Sequence, residues 1–531
     1  MALLLYVLVL GQLFHRCWAE ALDHTAAKCS KIPAPRVPGA KVLSISSALR
    51  LNHTEPQSSP ILDHTIDNIN VCEVNVTLRH TGANDTVSVQ TWLPVHQWNK
   101  RFVAVGGGAW AAGTGLVSLA EPASQGYAAS TTDGGLIGSP YSPELWALNA
   151  DGSVNMDLLT NFASRSIHDM AIVGKAVTAS FYSHAAKYSY WNGCSTGGRQ
   201  GMVAAQKYPK DFDGVLAGSP AIYWTEYVIA ELWPQVVMKA ENYFPTQCEY
   251  EAIVQAGIAA CDGLDKVKDN VITQPSHCKF DPFTVVGKKL QCPSAKEEVV
   301  INEKLASIVS KIWDGPRDRH GKSLWYGLEI GASLWNLAET GEANGTRFGK
   351  PVFVADGWTR FFVKRDPKFD TASVDTDALV QLFRESRETF DEIIGSANPD
   401  LSRFKKSGGK LIMWHGLADQ LIFPQGSVRY YEEVKRVLGG SKATLDFFRL
   451  FLAPGVDHCG YGPTPGAVPS PFNDLVSWVE KGRAPEKIEA KTLPTSAVQF
   501  TRKICRYPLV AKYQGWGDKA SSDSYKCMRD C

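Results

Sequence analysis

The spacing of hydrophobic and polar positions changes several times along this chain, and the changes mark out its elements. From Val71 to Trp92 apolar and polar residues alternate, with Val74, Val76 and Leu78 and then Val87 and Val89 falling on one face. That period of two, interrupted by Thr81-Gly-Ala-Asn-Asp85, predicts strand, turn, strand. Arg101 to Val105 is a short buried-type run that leads straight into Gly106, Gly107 and Gly108. Residues 154–183 switch to helical spacing through Leu158, Leu159, Phe162, Ile172, Val173 and Ala176. Tyr188-Ser-Tyr-Trp191 reads as another strand, and Arg199 to Tyr208, with Met202, Val203 and Ala205, as the helix after it. Phe212 to Gly218 repeats the strand-to-loop junction. This alternation predicts a largely parallel sheet flanked by helices.

From about Tyr223 to Phe404 the alternation fades, and tryptophans and two cysteine-bearing loops take its place. We read residues 223–404 as an insertion that folds as a lid. Lys410 to Gly416 then restores a buried strand and Ser427 to Leu438 a helix, so the sheet is interrupted and resumed. Residues 20–222 and 405–531 would form the principal domain. Residues 22–60, rich in Pro, Ser and Ala, read as a surface arm.

Length and composition refine this picture. A chain of 531 residues exceeds what one minimal core requires. With a net charge of +1, 21% charged residues and no basic or acidic block, it does not fit a nucleic-acid or anionic-membrane partner. The apolar run Leu3 to Leu10, followed by small residues around Ala19 and Ala21, predicts a signal peptide over residues 1–19 and hence secretion, although no Lys or Arg precedes the run. Twelve cysteines suit an oxidising compartment, and loss of Cys17 with the signal leaves an odd number. Sequons at Asn52, Asn75, Asn84 and Asn344 agree with passage through a secretory pathway. Aromatics at 10%, with fifteen tryptophans, supply a large core that could also stack on ring-bearing ligands.

The chemistry centres on Gly193-Cys-Ser-Thr-Gly197, a G-x-S-x-G match placed between a predicted strand and a predicted helix. A plain Gly-Ser turn would also fit the five residues, but it would not require that context. A serine nucleophile needs a base, and the base needs an orienting carboxylate. After such an elbow the expected order is acid and then histidine. Asp419 follows the strand ending at Gly416, and His458 lies in Pro454-Gly-Val-Asp-His-Cys-Gly-Tyr-Gly462. His415, at a strand end, reads as structural, and Asp457 is too close in sequence to orient His458. Cys194 precedes the serine and Cys459 follows the histidine. If Ser195 meets His458, these two cysteines come within bonding range. The glycines at 106–108 free backbone N–H groups that could face an oxyanion. Separately, Asp262, Asp265 and Asp269 crowd one short loop after Cys261. Such a loop suits a hard cation such as Ca²⁺, or is simply a solvated acidic turn.

Four stretches together carry a resemblance. Gly193-Cys-Ser-Thr-Gly-Gly-Arg-Gln-Gly201, Tyr208-Pro-Lys-Asp-Phe-Asp-Gly214, His415-Gly-Leu-Ala-Asp419 and Gly455-Val-Asp-His-Cys459 are similar to motifs of the fungal tannase and feruloyl esterase family. The resemblance covers nearly the whole chain. It implies an α/β-hydrolase fold with a large inserted lid domain and hydrolysis of phenolic acid esters, without nucleic-acid or membrane partners. Carried over by motif, Ser195 is the nucleophile, His458 the base and Asp419 its orienter. The oxyanion donors would be the Thr196 amide and one from the loop containing Gly107 and Gly108. The resemblance also implies a structural Ca²⁺ held by Asp262, Asp265 and Asp269 with the Val267 and Val271 carbonyls, a Cys261–Cys278 staple, and pairs Cys29–Cys72 and Cys505–Cys527. Cys248, Cys292 and Cys531 stay unassigned. The sequence departs from the family pattern at Ala109 and Ala112, where glycines are usual, and at Leu136, where a histidine is common. The function read here is that of a feruloyl esterase, cleaving small phenolic esters or feruloylated polysaccharide of plant cell walls. A tannase acting on gallate esters is the alternative reading, and a catalytically inactive binding protein on the same fold a remote one.

Overall fold

In the computed structural model, which describes residues 25–56, 65–113, 118–295, 297–462 and 465–529, nine strands pair into one central sheet. In chain order they are β1 (Ala40–Glu55), β2 (Ile66–His80), β3 (Val87–Pro94), β4 (Arg101–Val105), β5 (Ala128–Thr132), β6 (Tyr188–Cys194), β7 (Gly214–Gly218), β8 (Lys410–Gly416) and β9 (Phe448–Ala453). Their order in space is β1-β2-β3-β5-β4-β6-β7-β8-β9. The pairs from β1 through β3 to β5 are antiparallel, and all those from β5 to β9 are parallel. The parallel half is covered on both faces. In β4, Phe102 and Ala104 join one core while Val103 and Val105 join the other. A strand buried on both sides reads as a continuous apolar run, which is why this one was visible in the sequence. The chain leaves β4 toward β5 on one side and returns to β6 on the other. The carboxyl ends of β4 and β6 therefore flank the point where the winding reverses, the usual ligand crevice of such a sheet.

The helical stretch begins at Met156, where the Asn155 side chain accepts from the Leu158 amide. It passes through a π turn over Asn161–Arg165 and continues as α1, Ser166–Tyr182. Across the π turn the carbonyls of Phe162 and Ala163 accept from the buried Arg199 guanidinium, at 2.8 and 2.9 Å. Arg199 lies on α2, Thr196–Lys207, so this contact ties α2 to the stretch that precedes it.

One element differs from expectation. Residues 40–55 are not an arm but the long edge strand β1, paired with β2 from Ala40 opposite His80 to Glu55 opposite Ile66. None of its side chains is buried, so its sequence carries little of the apolar alternation that marks an inner strand. The Cys29–Cys72 disulfide fastens the segment before it. The expected signal peptide, Cys17 and Cys531 lie outside the described residues.

Between Gly218 and Lys410 no described residue adds a strand to the central sheet. The segment holds helices α3 (Trp224–Ala230), α4 (Trp233–Glu241), α5 (Gln247–Cys261), α6 (Glu303–Asp314) and α7 (Thr376–Ile394), with short hairpins near 289–300 and 340–349. It shares its core with the sheet-bearing part. Trp110 meets Trp224 at 5.4 Å and Phe362 at 5.6 Å between ring centroids, and Phe162 meets Trp224 at 5.5 Å. Trp110, Trp146, Trp224 and Trp358 all lie in this shared cluster. After β9 the chain adds strands over 468–469, 487–491 and 501–505, and then a hairpin over 509–513 and 525–529. Disulfides join Cys194–Cys459, Cys261–Cys278 and Cys505–Cys527, and also Cys248–Cys292, a pair the sequence left open.

Candidate active site

Ser195 sits between β6 and α2 with φ 64° and ψ −124°. A side chain at positive φ is strained by about 1–3 kcal/mol and persists only where its surroundings fix it. Here they do. Its amide donates to Gly218 O at 3.0 Å, and its carbonyl accepts from the Arg199 and Ala221 amides at 3.0 and 3.2 Å. A Cβ on Gly193 would stand 2.5 Å from Gly197 O, and one on Gly197 would stand 2.9 Å from Gly107 O. Those contacts require glycine, because the elbow crosses its own backbone and that of the loop after β4.

That loop is bound to α2 at several points. The Gly197 amide donates to Gly107 O at 2.9 Å, and the Thr196 hydroxyl to Ala109 O at 2.7 Å. The Gly107 amide donates to Gln200 Oε1 at 3.0 Å, and Gln200 Nε2 to Ala112 O at 2.8 Å. This corrects one expectation: Gly107 has committed its amide to Gln200 and is not open to an oxyanion. Among the described residues the Thr196, Gly108 and Ala109 amides accept no such commitment. Ala109 holds φ 50°, a left-handed backbone that glycine adopts more readily than alanine.

Asp419 lies past β8 and is wholly buried. Its Oδ1 accepts from the Leu421 and Ile422 amides at 3.0 and 2.8 Å. Its Oδ2 lies 2.9 Å from His458 Nδ1 and 3.1 Å from His415 Nε2. Burial alone would raise this carboxyl, but the charge of His458 and the hydrogen bonds from both histidines outweigh it and hold it well below the usual carboxylate range. His458 opens a short turn after β9, with 12% of its side chain exposed and its amide donating to Gln420 Oε1 at 2.8 Å. The Cys194–Cys459 disulfide joins the residue before Ser195 to the residue after His458, with Cα atoms 6.1 Å apart. The serine, the histidine and the carboxylate of the expected triad are thus gathered at the carboxyl ends of β6, β8 and β9. Asp457 does not orient His458, whose Nδ1 already faces Asp419; burial, partly offset by the Gly462 amide, pushes its carboxyl up to about 6.

The sequence reading missed three contacts here. His415 touches the acid rather than serving the core alone, Gln200 locks the glycine loop, and Gln420 holds the His458 backbone. Only His415 left a signal, four residues before Asp419. The segment between β7 and β8 also reaches the site electrically. Burial and then the charge of Asp419 push the Glu231 carboxyl far above its ordinary range.

In the acidic loop, Asp262 accepts from the Asp269 amide at 3.0 Å, Asp265 from the Val267 amide at 2.9 Å, and Asp269 from the Val271 amide at 3.2 Å. Asp269 also pairs with Arg502. Burial, and after it Asp265 and Asp262, raise the Asp269 carboxyl against the pull of Arg502. Three carboxylates in one loop offer the oxygen donors a hard divalent ion takes, but here each binds local amides, Arg502 competes for Asp269, and their oxygens do not converge within 4.8 Å as a trio. Among the described residues the only trio of His, Cys, Asp or Glu ligand atoms within 4.8 Å of one another is Cys248, Cys292 and Glu297, and its sulfurs are joined as a disulfide. Of the sequons, Asn52, Asn84 and Asn344 are exposed, whereas Asn75 is half-buried with its Nδ2 bonded to Glu73 at 3.1 Å.

Known proteins resemble this chain over most of its length. Residues 72–528 match the family model described as tannase and feruloyl esterase. A probable feruloyl esterase from Arthroderma benhamiae is 50% identical over 507 residues, covering 94% of each chain. Tannin acyl hydrolase from Aspergillus niger superposes with a TM-score of 0.86 at 26% identity, covering 95% of each chain. Feruloyl esterase B from Aspergillus oryzae superposes with a TM-score of 0.78 at 26% identity, over 95% of this chain and 100% of that one. A match across most of the length, in sequence and in fold, leaves one conclusion: the chain belongs to the tannase and feruloyl esterase family of carboxylic ester hydrolases.

Proposed function

We propose that this protein is a secreted serine esterase of α/β-hydrolase type that cleaves hydroxycinnamate esters, with residues 223–404 acting as the lid over its site. The observation that carries the reading is the junction of Asp419 with His458 Nδ1 at 2.9 Å and of their loop with the serine elbow through Cys194–Cys459. Asp419 accepts from Nδ1–H, which leaves His458 Nε2 as the lone-pair base. Nε2 takes the Ser195 hydroxyl proton as the oxygen attacks the ester carbonyl. The tetrahedral oxyanion is met by the Thr196 amide and an amide of the Gly108–Ala109 stretch. As it collapses, the C–O bond to the alcohol breaks and imidazolium Nε2–H protonates the leaving oxygen, giving an acyl-Ser195. Water, deprotonated by the same nitrogen, attacks the acyl carbonyl, and the carboxylic acid leaves with Ser195 restored.

The acyl class rests on the 50% identity to the Arthroderma protein. A second reading, gallate esters, is favoured by the superposition on tannin acyl hydrolase. Methyl ferulate, methyl caffeate and methyl gallate, assayed side by side with Ser195→Ala as control, separate the two. We expect turnover of the first two and loss of at least about 10³-fold in the variant. Turnover of gallate alone would transfer the protein to the second reading, and wild-type activity no greater than the variant's would leave only a non-catalytic role.

In the insertion, Asp262, Asp265 and Asp269 with the Val267 and Val271 carbonyls would hold a Ca²⁺, which neutralises the loop and braces it beside Cys261–Cys278. Chelation is expected to lower Tm while leaving the room-temperature kcat unchanged; an unchanged Tm would remove the ion from the account. Asn52, Asn84 and Asn344 are the sequons with exposed side chains for glycans, and a mass shift on glycosidase treatment of secreted protein tests them.

A further inference from the structure

His415 is the penultimate residue of β8, and its ring is wholly buried. Its Nδ1 lies 2.7 Å from Ser427 Oγ, and its Nε2 lies 3.1 Å from Asp419 Oδ2 and 3.0 Å from Ile422 O. A backbone carbonyl only accepts, so Nε2 carries the proton, and the Ser427 hydroxyl donates to Nδ1. The one Nε2–H of His415 is therefore shared between Ile422 O and Asp419 Oδ2, and Oδ2 faces the N–H of His458 as well. Oδ1 receives the Leu421 and Ile422 amides. With these four donors the accepting capacity of a carboxylate is filled. The two histidines differ in their footing. His458 stands in a turn and is partly exposed, whereas His415 is fixed inside the sheet and braced by Ser427 from the helix Pro424–Val437.

We propose that His415 is a positioning residue for the reaction: it fixes the plane of the Asp419 carboxylate and draws on the charge of the one oxygen that holds His458. The inference rests on the triad roles given above. Charge shared with His415 is charge not offered to His458. Without the His415 donor, Oδ2 would bind protonated His458 more strongly, and the carboxylate would be free to rotate off the Nδ1 axis. The first change moves the acid limb of kcat/KM to higher pH; the second lowers kcat. Other titratable groups whose charges reach Asp419 are Tyr227 and Glu231 from α3 and its end, and Asp457 from the His458 turn. All three remain in the variants below.

The test compares His415→Leu, which removes the donor, with His415→Gln, whose Nε2 can reach Asp419. Methyl ferulate hydrolysis is followed from pH 4 to 9, alongside thermal unfolding. For the leucine variant we expect kcat to fall about 10–100-fold with KM within about 3-fold, as for the partner behind a functional ligand. Its acid limb should rise by about 0.5–1 pH unit. The glutamine variant should keep the wild-type limb and kcat within about 5-fold. A folded leucine variant with wild-type kcat and limb, or leucine and glutamine variants that lose activity equally without a shift of the limb, would overturn the proposal. Should the leucine variant fail to fold, ¹⁵N-histidine NMR of the wild type decides. His415, assigned by its absence from the glutamine variant, must show the Nε2–H tautomer throughout, and an Nδ1–H tautomer contradicts the proposal. If instead Ser195→Ala hydrolyses the ester as fast as wild type, the triad reading itself has failed, which is a distinguishable result.

Discussion

Ser195 holds a backbone conformation that costs free energy, and it does so because its neighbours leave it no other. The residues proposed to carry the chemistry were readable in the sequence wherever local geometry demanded a residue type. Glycines flanking Ser195, an acid after β8 and a histidine after β9 each follow from what an elbow and two strand ends require. Contacts that depend on which distant side chains meet were not readable. Gln200 on the Gly107 amide and Gln420 on the His458 amide obey no periodicity. The same is true of Glu329, whose carboxyl is pushed up from 4.5 to about 7 by burial, partly offset by Gln425. Because its folded value is raised, its stabilising contribution is complete below pH 4.5 and is lost as pH rises through about 7. Glu329→Gln removes that loss, and its amide can also donate to Gln425 Oε1, which has no partner among the described residues. The variant is therefore expected to exceed wild type by about 1–3 kcal/mol at pH 8 and by far less at pH 4.5, measured by denaturant unfolding. An equal difference at both values would contradict the assignment.

At the scale of elements, periodicity placed β2 to β4, β6 to β8 and the helices after them, because these carry one or two buried faces. It missed β1, whose side chains all remain at least partly accessible, β5, whose buried Ala-Ala-Ser-Thr-Thr run has no large apolar residue, β9, and the strands after β9, which are short. The Cys194–Cys459 bridge was legible only through chemistry, since its partners are 265 residues apart. Its role differs from that of Cys29–Cys72, which spans 43 residues and fastens the chain ahead of β1. By the chain-entropy model the two bridges stabilise by similar amounts, on the order of 4–6 kcal/mol each. Catalysis separates them. Replacing Cys194 and Cys459 by serine should lower kcat at least about 10-fold at temperatures where the protein stays folded, because the base loses its tether to the nucleophile. Replacing Cys29 and Cys72 should lower Tm and leave kcat within about 2-fold. Equal effects on kcat would show that the first bridge serves stability alone.

Across the whole molecule, the insertion and the sheet-bearing part unfold as one body if the shared aromatic core is what joins them. Trp358 is wholly buried between Trp110, Trp224, Phe362 and Phe390. Trp358→Ala should cost about 3–5 kcal/mol and lower a single calorimetric transition. Two resolved transitions would mean that the insertion melts independently. That the described stretch between β7 and β8 adds no strand to the sheet was legible as a lapse in strand-helix alternation. Its attachment was not, because the ring contacts, such as Trp110 with Phe362 and Phe162 with Trp224, join residues far apart in the chain. In the proposed function acyl transfer through Ser195 is what unites the molecule, and one measurement reaches it directly. Wild-type protein turning over methyl ferulate is quenched in acid, digested and read by mass spectrometry. The account predicts an acyl group on the peptide that contains Ser195, absent from Ser195→Ala. An acyl group on any other residue, or Ser195→Ala turning over the ester as fast as wild type, would contradict it.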